Sequence, residues 1–376
     1  MEFGQQQPRT VIDGCGGSRE ELIPGLPHDV AVECFLRLPH TALPSACCVS
    51  KSWRSLLHGR HFYALRRSLH RTRSLTCLVQ QSPPYTSSTD RHGAKPAVGT
   101  DHLSQSTYLI SVFDPGSLSW ARVPPIPDFP DGLPLFCQLA STDGKLLVLG
   151  GWDPVTYCPL RRVYLHDFVA GEWQRCADMP VTTTFFGAAG VDGGRVFMAG
   201  GHDEYKNALG SAWAYDVELN IWEEMEGMSQ ERDECEGVVV GGGTEFWVVS
   251  GYRTKRQGGF EGSADVYEIG EGGRPWRRRR VEGAWQERKC PRGGVCPMNG
   301  SAAGSVFNLG EAVSGVQAGM CSVSTSRKVI VFEYQGGKLG IYVAEREEEE
   351  KIGKFMKVEV PEEFSGFVQS CCCVEV

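Results

Sequence analysis

Histidine and cysteine are the residues in this 376-residue sequence that could ligate a metal or pair as base and nucleophile; it holds nine of the first and fifteen of the second. Their spacing argues against both uses. After His102 only His166 and His202 follow, too few for a His-based metal site in the rest of the chain. No C-x-x-C pair occurs, which removes the usual zinc spacing and the thioredoxin-type dithiol. Cys34, Cys47, Cys48, Cys137, Cys235, Cys321 and Cys371 to Cys373 sit in apolar company, so the cysteines are expected to be small, buried, reduced side chains. H-E-x-x-H, G-x-S-x-G and the P-loop pattern are all missing. The sequence therefore predicts no catalytic residue, no metal and no cofactor.

Polar and aromatic side chains that could recognise a partner cluster elsewhere, in Trp152-Asp-Pro-Val-Thr156, His202-Asp-Glu-Tyr-Lys-Asn-Ala-Leu209, Glu231-Arg-Asp-Glu-Cys235 and Tyr252-Arg253. Charged and aromatic groups gathered on one rim suit a protein partner. Asp153, His202, Asp203, Glu204, Lys206, Arg232, Asp233, Tyr252 and Arg253 are the candidate contacts. The alternative is that Asp153, Asp203 and Arg232 cap turns and bridge neighbouring units, with Arg232 opposite Asp203 or Glu204.

A repeat must position these loops. Leu146-Leu-Val-Leu-Gly-Gly151 matches Val196-Phe-Met-Ala-Gly-Gly201 at a shift of 50, and Trp247-Val-Val-Ser-Gly251 follows at another 50, with Ser250 in place of the first glycine. Downstream of each doublet stand Tyr164…Trp173, Tyr215…Trp222 and Tyr267…Trp276, while Phe113…Trp120 ends an earlier unit; His166 occupies the position of Tyr215. A diglycine after an apolar strand, then an aromatic, then a tryptophan resembles the kelch repeat. That resemblance implies four-stranded blades around an axis, with the aromatic residues packed between blades. Residues 107–376 would give about six blades, one of them degraded over 283–319. The final strand, 367–376, would close the ring against early strands such as 75–81 or the one beginning at Tyr108. Arg274 to Arg280 and Glu345 to Glu350 are expected to be solvated loops, the basic run being alternatively a nuclear-import signal.

The N-terminal part reads differently. Residues 1–20 have little to bury and are expected to be disordered. Two prolines keep residues 21–27 extended. Val30, Cys34, Phe35 and Leu38 then form one apolar helical face, followed by short helical patterns through Leu43 and Cys47 and through Val49, Trp53 and Leu57. Leu26-Pro27-x-Asp29-Val30, Cys34-Phe-Leu-Arg-Leu-Pro39, Leu43 and Val49-Ser-Lys-x-Trp53-Arg54 resemble an F-box over residues 21–60. The resemblance implies an all-α module that docks on the Skp adaptor of a cullin-RING ubiquitin ligase, with Leu26, Pro27, Val30, Phe35, Leu36, Leu38, Leu43, Val49 and Trp53 as adaptor contacts. Residues 61–106 would be a linker, first an amphipathic helix with a solvated basic face acting as a stalk, then a flexible loop.

Gly132-Leu-Pro-Leu-Phe-Cys137, Gly200-Gly-His-Asp-Glu-x-Lys-Asn-Ala208 and Glu231-Arg-Asp-Glu-Cys235 further resemble one group of plant F-box/kelch proteins. What that group implies is recruitment of a target for polyubiquitination and proteasomal turnover, phenylalanine ammonia-lyase of phenylpropanoid synthesis or a response regulator of cytokinin signalling among them. A non-catalytic kelch scaffold without a degradation role is the alternative. Thirty-eight basic against 46 acidic residues give a net charge of −8, which argues against a phosphate-backbone binder. No apolar run is long enough for a membrane span, and no signal peptide is recognised, so cytosol or nucleus is expected.

Overall fold

The computed structural model describes residues 21–82, 107–270, 275–285, 295–297, 306–308, 321–324, 328–335, 338–345 and 353–376. The expectations for residues 1–20, for the loop 83–106 and for most of the acidic run after Glu345 lie outside the described residues.

The described chain opens with a turn where extended chain was expected. Leu26 N donates to Ile23 O at 3.0 Å and Gly25 sits at φ +81°, because Pro followed by Gly suits a type II turn better than a straight run. Four helices follow, α1 (His28–Leu36), α2 (Leu43–Cys47), α3 (Lys51–Leu57) and α4 (Arg60–Ser68). Ser50 caps α3 by accepting from Trp53 N at 3.1 Å. Trp53 in turn stands edge-on to Phe35 with centroids 4.5 Å apart. The small core holds Leu22, Ala31, Phe35, Leu36, Leu43, Cys47, Leu57 and Phe62. Phe62 belongs to α4, so the expected stalk is instead the fourth helix of this module. Arg66 of α4 is buried and donates to the carbonyls of Leu36, Leu38 and Arg71.

From β1 (Ser74–Gln81) onward the structure is strand. β2 (Tyr108–Asp114) and β3 (Ser119–Arg122) continue the first sheet. Three four-stranded antiparallel sheets come next: β4 (Gln138–Thr142), β5 (Lys145–Leu149), β6 (Val163–Asp167) and β7 (Glu172–Arg175); β8 (Gly187–Val191), β9 (Arg195–Ala199), β10 (Ala212–Asp216) and β11 (Ile221–Glu224); β12 (Glu236–Val240), β13 (Glu245–Val249), β14 (Ala264–Ile269) and β15 (Pro275–Val281). A two-stranded sheet, β16 (Val295–Pro297) with β17 (Val306–Asn308), precedes β18 (Cys321–Ser324), β19 (Lys328–Gln335), β20 (Lys338–Glu345) and β21 (Met356–Val358). The last strand, β22 (Val368–Glu375), returns to the first sheet and pairs with β1. The inner strands touch in the order β22, β4, β8, β12, β16, β18 and back to β22. Among the described residues the propeller thus has five four-stranded blades, with the two-stranded sheet standing in the degraded position.

Register explains the repeat. Phe113 faces Trp120, His166 faces Trp173 and Tyr215 faces Trp222 across the two outer strands of their blades. In each of these three pairs the ring centroids are 4.9 Å apart. Trp173 and Trp222 then donate to the carbonyls of Pro124 and Ala177 on the preceding blade connection. The fourth blade departs from the pattern. Arg278, not Trp276, stands opposite Tyr267, with a bulge between Glu268 and Ile269 in the same strand pair, and Arg278 bonds Glu226 and Asp265 there. The run containing Arg277 to Arg280 is therefore an outer strand with Arg278, Arg279 and Arg280 in ion pairs, where a solvated loop was expected. The diglycines are set by crowding. A Cβ on Gly201 would stand 2.3 Å from Thr184 O, and on Gly151 2.7 Å from Leu135 O.

The cysteines are more varied than expected. Cys371 is disulfide-bonded, and Cys34, Cys48 and Cys158 are exposed free thiols. Pairing of β1 with β22 puts Cys77 directly opposite Cys372, and both remain free thiols.

Candidate functional site

Antiparallel connection divides the propeller into two faces. Short turns between inner strands, such as 143–144 and 192–194, lie on one face, while the long segments 123–137, 150–162, 176–186, 200–211, 225–235 and 250–263 lie on the other. The short-turn face carries the helices. Cys47 Sγ contacts Val169 O at 3.5 Å, Val169 packs on the helical core, and Arg60 and Arg67 reach carboxylates of the turns. Among the described residues nothing covers the long-loop face, and all nine candidate recognition residues belong to it.

On that face three blades repeat one construction. Trp152, His202 and Tyr252 follow the Gly-Gly or Ser-Gly doublets and form bridges to Leu135, Thr184 and Asp233 of the entering segment. The next residue of each entering segment, Phe136, Phe185 or Glu234, is left-handed at φ 59°, 57° or 49°. For bulky residues this conformation is costly, and its effect is to turn the side chain out onto the face. Phe136, Trp152 and Phe185 come together as an aromatic cluster, with centroids 5.1 Å apart for the two phenylalanines and 5.5 Å for Phe136 and Trp152. Phe185 stacks on His202 at 5.5 Å.

His202 is the hub. Its Nδ1 bonds Asp233 Oδ1 at 2.8 Å, and its Nε2 lies 2.9 Å from Thr184 Oγ1 and 3.0 Å from Lys206 Nζ. Hydroxyl, imidazole and carboxylate in this order have the spacing of an acyl-transfer relay. The surroundings remove that use: Thr184, His202 and Asp233 are 2%, 4% and 2% exposed, and Lys206 competes for the one nitrogen that could take a hydroxyl proton. The relay instead ties the third blade to the fourth beneath the aromatic cluster. Lys206 Nζ also sits 5.0 Å from the Trp152 ring centroid.

The nine candidates separate by depth. Arg232 is fully buried, so it cannot touch a partner, and its bridge is not to Asp203 or Glu204. Its Nε donates to Asp265 Oδ2 at 2.9 Å, and its remaining donors meet Ser250 O, Ser263 O and Ser263 Oγ. His202 and Asp233 are likewise interior. Asp153 and Asp203 lie at the surface but cap their own loops. Asp153 Oδ1 accepts from Val155 N and Thr156 N, and these amides hold its carboxyl below the usual range. At Asp203 desolvation is outweighed by Asn207 and the Tyr205 amide, with the same lowering. Glu204, Lys206 and Arg253 are exposed, and Tyr252 is half-buried.

What these capped loops lift into solvent is apolar. Val155, Tyr157 and Tyr205 are 77%, 58% and 76% exposed. Reading the loops by their charges passed over them, although Tyr205 lies between two of the candidates. The usable signal was Asp followed two or three residues later by a turn amide, which marks the carboxylate as a cap.

The candidate adaptor contacts also divide. Leu26, Pro27, Val30 and Val49 are exposed; Leu38 and Trp53 are half-buried; Phe35, Leu36 and Leu43 are core. The face predicted from Val30, Cys34, Phe35 and Leu38 is therefore two faces. Ala31 and Phe35 point inward, while Val30 and Cys34, one turn apart, remain uncovered beside Leu26 and Pro27. Uncovered apolar groups in such a group mark an interaction surface.

Residues 23–65 match the F-box domain, and residues 135–180 and 185–229 match the Kelch motif. Similar proteins from Arabidopsis thaliana include an F-box/kelch-repeat protein 40% identical over 261 residues, which covers 66% of this chain and 63% of its own length. F-box/kelch-repeat protein SKIP20 is 36% identical over 280 residues, 67% of this chain and 65% of its own. A further F-box/kelch-repeat protein is 38% identical over 250 residues, 66% of this chain and 67% of its own. The chain thus spans just under two thirds of the length of the first two relatives.

Proposed function

Since the chain belongs to the plant F-box/kelch-repeat family, we propose that it is the substrate-recognition subunit of a Skp-cullin-F-box ubiquitin ligase, acting in the cytosol or nucleus. The F-box module binds a Skp-type adaptor, and through it a cullin and a RING protein. The long-loop face of the propeller binds the target. The observation that carries this reading is the division of faces: among the described residues the helices cover the short-turn face, with Leu26, Pro27, Val30 and Val49 exposed on one side and the aromatic loop face uncovered on the other.

Ubiquitin transfer within such a complex is governed by proximity, so a receptor contributes position and not an acid, base or nucleophile. Target contact falls to Val155, Tyr157 and Tyr205 with Phe136, Trp152 and Phe185 behind them; Glu204, Lys206 and Arg253 supply polar contacts at the edge. Buried aromatic anchors dominate interface energies. The candidate targets implied by the sequence resemblance are phenylalanine ammonia-lyase, whose turnover would restrain phenylpropanoid synthesis, and a response regulator of cytokinin signalling.

The test is co-purification of the full chain with a Skp adaptor and with each candidate target. Leu26→Ala/Pro27→Ala should abolish adaptor capture and leave target capture intact; Tyr157→Ala/Tyr205→Ala should do the reverse. Adaptor capture without any protein stabilised by proteasome inhibition would favour a scaffold and sink the degradation role.

A further inference from the structure

We propose that α4 is the positioning element of this receptor, with Arg60 and Arg67 latching the F-box module to the base of three blades and thereby fixing the adaptor face relative to the target face. The purpose of the latch rests on the receptor reading; its existence does not.

The basic face of α4 meets four carboxylates, none of them from its own module. Arg60 pairs with Asp143 Oδ2 at 3.6 Å and with Glu218 Oε2 at 2.7 Å. Arg67 pairs with Asp192 and, at 3.4 Å, with Glu375 Oε2. Asp143 lies in the β4–β5 turn of the second blade, Asp192 and Glu218 in turns of the third, and Glu375 at the end of the innermost strand of the first. Two arginines one α-helical face apart, at i and i+7, thus bridge three blades. Asp143 is itself anchored, its Oδ1 accepting from Gly193 N at 3.0 Å, so the turns that receive the arginines are held to each other as well.

Between the arginines Tyr63 lies against Gly144. A Cβ at that glycine would stand 3.4 Å from Tyr63 Cε2, and its φ of +73° suits glycine in any case. Val169 and Pro44 add a second, apolar footing, Val169 within the helical core and Pro44 over Gly171. His58 Nδ1, 3.5 Å from Asp167 Oδ2, joins this footing at the same β6–β7 turn. A single tether would permit rotation. The arginine contacts and the Asp167–Gly171 turn, being separated, do not.

The latch is testable in the full chain without adaptor or target. Spin labels on exposed Cys48 of the F-box and exposed Cys158 of the long-loop face, in a background where Cys34 and every other probe-reactive thiol is replaced by serine, report the distance between the two faces. The wild type should give one narrow distribution. Arg60→Glu/Arg67→Glu should broaden it at least twofold, with far-ultraviolet circular dichroism unchanged, and Arg67→Glu/Asp192→Arg should narrow it again, which a merely structural role for Arg67 in its own helix would not do. Glu218→Lys, at a 66% exposed side chain that leaves folding untouched, should broaden it partially. An unchanged narrow distribution in both the double reversal and Glu218→Lys overturns the latch. Adaptor capture is read in parallel: its absence in wild type overturns the receptor reading and leaves the distance result standing.

Discussion

At the scale of single residues, burial decides what a side chain can do. His166 occupies a position held by Phe113 and Tyr215 in neighbouring blades, packed edge-on to Trp173 and Phe168, and among the described residues neither ring nitrogen has a hydrogen-bond partner. Burial lowers its pKa from 6.5 to about 4. In the folded chain it stays neutral where the unfolded chain takes up a proton. Stability from this residue is therefore complete above pH 6.5 and is lost as the pH falls from 6.5 toward 4. Chemical denaturation at pH 7 and pH 5 should show wild type losing about 2 kcal/mol more than His166→Phe on acidification; equal losses would mean that the ring is hydrated. Arg232 illustrates the same logic for charge. It and Asp265 are both fully buried, so Arg232→Met should cost about 3–5 kcal/mol by leaving a carboxylate inside with fewer partners. Exposed Arg253→Ala should stay within about 0.5 kcal/mol. A defect of an Arg232 variant in target capture would thus report folding, and urea denaturation distinguishes the two.

At the scale of elements, what was legible in the sequence depended on how local its cause is. The blades were legible because Gly-Gly, the aromatic and the tryptophan each answer a constraint within one unit: backbone crowding at Gly201, and ring packing between Tyr215 and Trp222. The exchange of Trp276 for Arg278 was not, because it depends on the length of the connection between the two strands as well as on the bulge between Glu268 and Ile269, and neither leaves a mark in composition. The F-box helices were legible by spacing, yet the split between Val30 outside and Phe35 inside α1 was not, since i, i+4 and i+5 cover more arc than one small core can receive. The basic residues of α4 looked solvated because their partners, Asp143, Asp192, Glu218 and Glu375, are contributed by turns far along the chain. Within the candidate site the same distance effect hid Asp265 from Arg232, while the capping roles of Asp153 and Asp203 were local and could have been read. Function at this level follows from rigidity. A capped loop presents Tyr157 or Tyr205 with its conformation already fixed, which lowers the ordering cost of binding.

At the scale of the whole molecule, stability is a property of a closed ring. The first blade is completed by β22, whose Val368 and Val374 are 4% and 0% exposed and whose backbone pairs along β1 from Ser74 to Gln80. The same strand touches β4 on one side and β18 on the other, so it is the inner strand of one blade and a packing surface for two more. Its end also reaches the helices, through Glu375 on Arg67 and Thr72 and through the paired backbones of Val376 and Arg73. Removing it would uncover β1, where Cys77, Leu78 and Val79 are fully buried. Burying each large apolar side chain contributes about 1.5–3 kcal/mol, so losing several such contacts rivals the whole margin of about 5–15 kcal/mol that holds a domain folded. Deletion of residues 368–376 should therefore abolish cooperative unfolding of the propeller and of the F-box module together. Val374→Asp should lower the thermal midpoint of both in a single transition, since a charge would enter the closed seam. Val49→Asp, on the uncovered side of the helices, should leave the midpoint unchanged and remove only adaptor capture. Two separate transitions in Val374→Asp, one of them at the wild-type midpoint, would show that the ring and the helices are stabilised independently and that β22 does not couple them.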